Sequence, residues 1–511
     1  MTYFPLMKRI APYLIIYCAL LCAGSTQAQV SRLKSDICYD ASLQATVGSG
    51  DVAPFWFTAN RYGLGTIEPN SALVRAAVQR RAEADSLRHW RIGYGLDLVA
   101  AVNHTSHFLV QQAYADLQYK SLRLSIGQKE RPMELRNQRL SSGAMTTGIN
   151  ARPLPQVRLG LPEFLSFPRT GHWLALKAHI AYGMLTDNRW QRHFTQGTAN
   201  LYTANSLYHS KAGFLRIGNT SRFPLTLTGG IEMSCQFGGE AWNLRDREDH
   251  TGAFESHQKL PHGFKAFWHA FIPGGSDVND GDFSNIEGNQ LGSWHLRADF
   301  DLHGWGASFY AEHFFEDHSQ LGPFVYNWRD MQYGAELRLP HNPVVSAIVY
   351  EHLRTTHQSG PIYHDKTAAL PTSIAGVDNY YNHHVYAAWQ HAGMALGHPL
   401  LLSPIYNTKG QIAFRDNRVL AHHIGIEGQP AKEVSYRVLF THERSWGTYA
   451  TPRINPAKGT YLLAEATYAP RQVPGLSLTA AYGQNSGALL GNAKGAMLTI
   501  AYSGMFRNHR E

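Results

Sequence analysis

From Ser71 onward the sequence alternates regularly between apolar and polar residues. The alternation runs through residues 89–98, 225–237 and 293–302, and each run is about ten residues long, the length of a tilted β-strand that crosses a membrane. Because successive side chains lie on opposite faces of a strand, one face is apolar with aromatic ends and the other carries charges. This pattern favours a transmembrane β-barrel with a water-filled lumen. The alternative, a β-sandwich, would have shorter strands and fewer inward charges.

The connections between these runs alternate between long and short, as in outer-membrane barrels with long outer loops and short periplasmic turns. About sixteen runs are clear between Leu73 and Tyr502, and side parity adds one at 156–161 and one at 42–47. The sequence therefore predicts an all-β fold, a transmembrane antiparallel β-barrel of about eighteen strands with both termini in the periplasm. Short connections are predicted at 219–224, 303–304, 340–343, 428–433 and 469–475, and long ones at 238–292, 315–329, 355–418, 444–459 and 483–495.

Only the N-terminus carries an apolar run of the length that a membrane helix needs, and the mean hydropathy of −0.30 excludes a polytopic helical membrane protein. The small residues of Thr26-Gln27-Ala28 end this run and fit a cleavage site. We therefore predict a signal peptide at 1–28 and a single outer-membrane barrel domain at 29–511, with an uncleaved membrane anchor as the alternative. The mature chain would keep Cys38 and Cys235, which allow one disulfide.

Two of the long loops carry a helical spacing of apolar residues. Residues 264–271 place aromatic rings at i, i+3, i+4 and i+7, and residues 380–392 carry a second stripe that Gly393 is placed to end. An apolar helix face on an outer loop has to be buried, and the barrel mouth is the available place. We therefore expect short helices in extracellular loops that occlude the lumen. The alternative is that the stripes only fold the loops.

No combination of residues indicates catalysis. The sequence has no convincing nucleophile beside a base, no His-Glu-x-x-His and no phosphate-binding loop. In the Glu312–His318 cluster, His313 and His318 would face opposite sides of a strand, and the neighbours His422 and His423 would also point apart. We therefore predict no enzymatic activity, no metal and no cofactor. The dispersed basic residues indicate no nucleic-acid partner.

Aromatic and basic residues in the predicted outer loops provide the best candidates for a binding site. Aromatic faces stack on sugar rings, and guanidinium groups hold carboxylates through paired hydrogen bonds. The alternative role for the aromatic residues is the girdle that barrels carry at membrane interfaces. The residues predicted to bind polysaccharide are Trp268, Tyr380, Tyr381, Trp389, Arg415 and Arg418.

Six short stretches, spread over nearly the whole mature chain, carry a family resemblance. They are Pro54–Gly63, Arg131–Leu135, Glu287–Trp294, Glu312–Asp317, Asp378–Asn382 and Ala421–Ile426. Together they resemble the capsule-assembly Wzi proteins of bacterial outer membranes, in the form found among Bacteroidetes. The resemblance implies an eighteen-stranded outer-membrane barrel with occluding helices and a lectin-like, non-enzymatic role in holding capsular polysaccharide at the cell surface.

This resemblance sets the expected partners. We expect capsular or other surface polysaccharide, outer-membrane lipid and polysaccharide export proteins as partners, and a monomeric barrel. The alternative function is that of an outer-membrane channel, a porin that transports small solutes or oligosaccharides.

Overall fold

The chain folds into a closed antiparallel β-barrel of eighteen strands, which confirms the predicted fold class. The computed structural model describes residues 36–85, 88–245, 254–273, 288–316, 329–340, 342–363, 374–408 and 410–506, so the predicted signal peptide lies outside the described residues. The barrel strands are β1 (Ile37–Ser49), β2 (Ser71–Arg80), β3 (Trp90–Val102), β4 (Phe108–Tyr119), β5 (Leu122–Gln128), β6 (Pro155–Ser166), β7 (Leu174–Met184), β8 (Leu207–Ile217), β9 (Leu225–Phe237), β10 (Asn289–Leu302), β11 (Trp305–Phe315), β12 (Met331–Arg338), β13 (Ala347–Arg354), β14 (Val419–Ala431), β15 (Val434–Gly447), β16 (Pro452–Tyr468), β17 (Leu476–Gly487) and β18 (Ala493–Phe506).

The first and last strands pair to close the barrel. β1 runs antiparallel to β18, with Ile37 opposite Phe506 at one end and Ser49 opposite Lys494 at the other. The end at Ile37 and Phe506 is called the turn end, because the connections on that side are short, and the opposite end is called the loop end. At the turn end β10 and β11 are joined by His303 and Gly304 alone, whose φ values of 51° and 84° suit the two-residue turn of a twisted hairpin.

The predicted division into long and short connections holds with two main differences. The connection predicted at 483–495 spans only 488–492, because β17 continues to Gly487 and β18 begins at Ala493. Residues 444–459 are predicted to be a long loop, but β15 continues to Gly447 and β16 begins at Pro452. The two strands therefore extend as a hairpin past the neighbouring strands, and their ladder shifts register between Ser445 and Gly447. The polar and glycine-rich composition that indicates a loop is tolerated here because this part of the hairpin lies at the loop end.

The alternation in sequence is the alternation between the outer face and the lumen. Val47 on β1 and Phe309 on β11 point outward and are 69% and 65% exposed. Leu96 on β3 is also exposed, whereas the next residue, Asp97, is buried in the lumen, where Arg75 Nε donates to its carboxylate at 3.0 Å. The barrel therefore has an apolar outer belt and a charged inner wall, as the sequence predicts.

The lumen is filled from the loop end by three inward-folded segments, which together we call the plug: residues 53–67, 129–154 and 378–408. The largest buried cluster among the described residues combines side chains from all three segments with inward side chains of β8, β10, β11 and β13 to β18. The first segment includes the one-turn helix α1 (Phe55–Thr58), whose four residues are all buried. Occlusion of the lumen, predicted from the loop stripes, is therefore present in the described conformation.

The helix predicted at 380–392 does not form, so this expectation is wrong. Tyr381, Ala388 and Ala392 have φ values of 69°, 64° and 51°, in the left-handed region that interrupts a right-handed helix. Instead, Gln390–His391 pairs with Met394–Ala395 in a small hairpin. The helical spacing of aromatic residues arises because an irregular chain packed on all sides also needs apolar residues throughout its length.

The other predicted loop helix is present but is oriented differently. The helix α3 (Phe264–Phe271) buries Ala266 and Ala270, and Phe267 packs partly against β9. Phe264 and Trp268 are 88% and 51% exposed, so only part of the predicted aromatic stripe is buried. A third short helix, α2 (Asn188–Phe194), lies in the connection between β7 and β8.

The two cysteines of the predicted mature chain do not pair with each other. Cys38 lies at the turn end of β1, opposite Met505, whereas Cys235 lies near the loop end of β9. Their separation along the barrel rules out the disulfide in this fold. Among the described residues, no helix is long and apolar enough to cross a membrane.

Candidate functional site

The plug is anchored to the barrel wall by a buried ion pair. Arg136, in the second plug segment, donates from Nη2 to Glu312 Oε2 at 2.6 Å, and both side chains are 0% exposed. The same Nη2 donates to Gln332 Oε1 at 3.2 Å, and the guanidinium carbon lies 4.3 Å from the centre of the Tyr310 ring. Glu312 also accepts from the backbone N–H of Met145 at 2.9 Å. Glu312, part of the acidic and histidine-rich cluster noted in the sequence, therefore fixes the plug.

A second carboxylate of the wall, two strands along from Glu312, holds the same plug segment. Glu351 on β13 accepts from Ser141 Oγ at 2.6 Å, from the Ser142 backbone at 2.6 Å and from the Ser142 hydroxyl. Tyr310 Oη donates to Glu351 at 2.6 Å. A buried carboxylate is costly unless several donors surround it, and this one has four.

The adjacent histidines point apart, as predicted. His423 on β14 is buried and contacts the Leu140 carbonyl of the plug at 2.8 Å, whereas His422 is exposed on the outer face. The wall residues that line this part of the lumen therefore bond to the plug rather than to a shared ion. Among the described residues no group of three or more His, Cys, Asp and Glu side chains is arranged to hold a metal ion.

Two of the predicted sugar-binding residues, Tyr381 and Trp389, hold plug segments together, whereas Tyr380 donates its hydroxyl to Asp330 at 3.4 Å. Tyr381 donates its hydroxyl to the Met145 carbonyl and accepts from the His398 backbone at 2.9 Å. Trp389 Nε1 donates to the Thr146 carbonyl at 3.0 Å. Tyr380, Tyr381 and Trp389 are each 0% exposed, so their rings offer no face to a ligand in the described conformation. The sequence places these rings in an outer loop correctly but does not reveal that the loop folds inward.

His398 lies at the junction of these contacts. Its Nδ1 accepts from the Leu400 backbone at 3.2 Å, and its Nε2 lies 3.3 Å from Ser142 Oγ. Burial lowers the pKa of His398 to about 4, and the carboxylates of Glu351 and Glu312 offset this effect only in part. The imidazole is therefore neutral at physiological pH.

The loop end carries an open hollow of about 490 Å³ beside the plug, which we call the loop-end hollow. Its floor includes Leu402 and Tyr406 of the third plug segment, and its rim includes Leu489 and Leu490 from the connection between β17 and β18. The volume is in the range of ligand-binding clefts. The remaining lining residues are polar or charged apart from Val52: Asn407, Thr408, Arg415, Asp416, Thr451 and Arg453.

Two guanidinium groups give this hollow its chemistry. Arg453 on β16 holds Asp416 through two bonds of 2.8 Å, from Nε and from Nη2, and Ser445 Oγ donates to the same carboxylate at 2.7 Å. Arg453 thus uses two of its five N–H donors and is held rigidly with the others available. Arg415 is exposed and forms no hydrogen bond or ion pair with any described residue. The hollow therefore presents one oriented guanidinium and one that is exposed and unbonded to any described residue, beside apolar side chains.

The structure brings together only part of the predicted site. Arg415 lines the loop-end hollow. Arg418 lies close by along the chain, where its guanidinium carbon stacks 3.9 Å from the centre of the Tyr449 ring and its Nε donates to the Thr356 carbonyl at 3.4 Å. Trp268 is exposed on α3, outside the lining of this hollow. The role of these three residues in polysaccharide binding stays a prediction.

Arg453 and Asp416 are residues that the sequence analysis missed. Arg453 lies in the stretch that was expected to be an outer loop, so a search for basic residues there would have found it. Asp416 directly follows Arg415, but its pairing with Arg453 joins residues 37 positions apart and has no signal in a single sequence.

Comparisons with known proteins support the fold. No protein-family model and no curated protein matches the chain. Among solved structures, the chain is similar to Wzi of Escherichia coli, described as an outer-membrane protein involved in group 1 capsule assembly and a carbohydrate-binding β-barrel, with 15% identity, a TM-score of 0.56, and coverage of 93% of this chain and 86% of Wzi. At this identity the likeness shows the barrel fold.

Weaker similarities extend to two proteins of Pseudomonas aeruginosa. OccD3 (OpdP) is 9% identical with a TM-score of 0.45, over 93% of this chain and 92% of that chain. The outer-membrane protein OprD is 9% identical with a TM-score of 0.43, over 93% of this chain and 95% of that chain.

Proposed function

We propose that this protein is a lectin-like barrel of the outer membrane that attaches or organises capsular or other surface polysaccharide at the cell surface without catalysis. The observation that carries the proposal is the combination of a filled lumen with an open, guanidinium-lined hollow at the loop end. A channel needs a continuous path through the barrel, whereas a protein that holds polysaccharide needs a rigid binding surface.

The apolar outer belt supports a membrane location. The aromatic side chains at the turn end include Trp90 and Tyr119, whose ring centres lie 4.7 Å apart and which are both exposed. Amphipathic rings of this kind suit the boundary between lipid and water. With the turn end in the periplasm, the loop-end hollow would face the outside of the cell.

The chemistry of the hollow suits an acidic polysaccharide. A uronate or pyruvate carboxylate would accept paired hydrogen bonds from the free edge of Arg453 or from Arg415, while the apolar floor would contact a ring face. The binding free energy of one such contact is small, in the range of about −4 to −8 kcal/mol. A long polymer would be retained through repeated engagement along its length. The likeness of the fold to Wzi, described as carbohydrate-binding, is consistent with this proposal.

Retention of purified capsular polysaccharide on immobilised full-length protein tests the proposal. Arg415→Gln should reduce retention, because the Arg415 guanidinium contacts no described residue and is therefore available to the polysaccharide. Arg453→Gln should reduce retention further. Arg338→Gln is the matched control, since Arg338 forms an exposed ion pair with Asp301 at the turn end. Raising the salt concentration should weaken retention, because exposed charges are screened over about 10 Å at 0.1 M.

Equal retention by the wild type, Arg415→Gln and Arg453→Gln would contradict this site. A large, steady conductance of the wild type in planar bilayers would instead favour the channel alternative.

A further inference from the structure

A second, separate pocket opens below the plug on the turn-end side of the lumen. It has a volume of about 200 Å³, and we call it the turn-end pocket. Arg131 of the second plug segment and Arg158 of β6 both line it, together with residues from the turn-end halves of β5 and β7. The same two arginines also line an adjoining cavity of about 70 Å³.

Neither guanidinium forms an ion pair with a described residue, although Asp116 acts on Arg131 from a longer distance, as Glu134 and Glu232 do on Arg158. Arg131 donates from Nη1 to the Lys129 carbonyl and from Nη2 to Ser125 Oγ, each at 3.1 Å. Within the described part of the chain, no carboxylate lies within ion-pair distance of Arg131 or Arg158. Because a partly buried charge gains from a counter-ion, two such guanidinium groups in one pocket favour the binding of an anion.

The neighbouring cations differ, because each is paired. Lys129 Nζ lies 2.5 Å from Asp116 Oδ2, and Lys177 Nζ lies 2.6 Å from Glu134 Oε2. Five basic and three acidic side chains line the pocket in all. One of the acids, Glu163, is exposed, and Glu232 lines the adjoining small cavity rather than the pocket. The pocket therefore has an excess of basic side chains, of which Arg131 and Arg158 are the ones without a carboxylate within ion-pair distance among the described residues.

The two arginines also repel each other. The pKa of Arg131 is lowered to about 9, first by burial and second by the charge of Arg158, and Asp116 offsets this lowering in part. Arg131 remains protonated at neutral pH. An anion between the two guanidinium groups would replace this repulsion with two attractions.

The volume of the pocket and its connection to the turn end indicate which class of anion it can bind. A cavity of 150 Å³ binds benzene, so about 200 Å³ has room for one six-membered ring. Ser125, His179 and Glu134 supply polar groups for hydroxyls. The pocket shares Lys129, Glu130 and Pro132 with a larger hollow of about 800 Å³ that reaches Cys38 and Met505 at the turn end.

We propose that the turn-end pocket binds the carboxylate of a single sugar acid that enters from the turn end. This site goes beyond the proposed function and does not depend on it, since the loop-end hollow lies on the other side of the plug. Two guanidinium groups match the two oxygens of one carboxylate. The neighbouring lysines already pair with Asp116 and Glu134, so these acids do not pair with the two arginines.

Isothermal titration of the full-length protein in detergent micelles with glucuronate tests the proposal. Glucuronate should bind, glucose should not, and binding should weaken at high salt. Arg131→Gln and Arg158→Gln should each weaken binding at least about tenfold, or about 1.4 kcal/mol. Arg158→Lys, which keeps the charge but loses the paired donors, should weaken it less than Arg158→Gln. Arg471→Gln, at an exposed pair with Glu433 in a turn, should leave binding unchanged.

The contrary outcomes are specific. Equal binding by the wild type, Arg131→Gln and Arg158→Gln would overturn the site, and equal binding of glucose would overturn the role of the carboxylate. Inorganic phosphate or benzoate binding as tightly as glucuronate would overturn the assignment to a sugar acid. Arg453→Gln should remove only the contribution of the loop-end hollow to glucuronate binding. The losses caused by Arg131→Gln and Arg158→Gln should persist in an Arg453→Gln background, so failure here and failure of the loop-end site can be told apart.

Discussion

At the residue scale, the plug is fixed by Arg136, whose charge is fully buried in the lumen. Its ion pair with Glu312 spans 176 residues of sequence and joins a loop to a strand. Nothing local in the sequence indicates this pair. Glu312 is a conspicuous acid on a predicted strand, but its partner lies in an irregular segment whose inward course depends on many distant contacts at once. Single residues on the wall can therefore be assigned to a face from the sequence, whereas their partners in the plug cannot.

Breaking this pair should destabilise the protein strongly. Arg136→Met leaves Glu312 buried without its counter-ion, and we expect the free energy of unfolding to fall by about 3–5 kcal/mol. Arg338→Met, which breaks an exposed pair, should cost no more than about 1 kcal/mol. Urea unfolding of the refolded barrel, followed by tryptophan fluorescence, measures both. Equal losses in the two variants would contradict the anchoring role of Arg136.

His398 should make stability sensitive to acid. Its folded-state pKa of about 4 lies below its ordinary value of 6.5, so the unfolded chain binds the proton first as the pH falls. The contribution of this group is complete above about pH 6.5 and is lost progressively as the pH falls towards 4, by at most about 1.4 kcal/mol per pH unit. His398→Asn should flatten this dependence in unfolding experiments between pH 7 and 4. His422→Gln, on the outer face, should not; the same slope in wild type and His398→Asn would be the contrary result.

At the element scale, the strands were predictable and the plug was not. A pleated strand requires apolar and polar residues to alternate, which gives the sequence a period of two. The alternation of loop lengths then fixes the parity that leads to eighteen strands. The segment 378–408 has no comparable period, because each of its residues faces a different neighbour. Its aromatic spacing imitates a helix, while the left-handed backbone of Tyr381 and Ala388 is specified by tertiary contacts.

Loosening the plug should open the barrel. Changing Tyr381 and Trp389 together to Ser removes two buried rings that bond to the second plug segment, so conductance in planar bilayers should rise several-fold above a low wild-type level. The matched control changes Phe264 and Trp268 to Ser, because these rings of α3 are exposed. Equal opening by the control pair would show that the plug is not what closes the pore.

At the scale of the whole molecule, the barrel presents different chemistry at its two ends. The loop end carries Arg415 and Arg453 around an open hollow, and the turn end leads to the enclosed pair of Arg131 and Arg158, with the plug between them. The sequence predicts the barrel, its strand number and candidate aromatic and basic residues in the outer loops. It does not predict which arginines are free, because that depends on which acids the fold brings within reach of the other cations.

The amount of capsule retained by cells tests the central claim most directly. A strain lacking this protein is complemented with the wild type, Arg415→Gln combined with Arg453→Gln, or Arg338→Gln, and each variant is first shown to reach the outer membrane in equal amounts. Cell-bound and released capsule are then measured by staining and by assay of the medium. We predict that the wild type and Arg338→Gln restore cell-bound capsule and that the double variant releases it into the medium. Full retention by the double variant, or retention by the strain lacking the protein, would contradict a role in holding polysaccharide at the loop end.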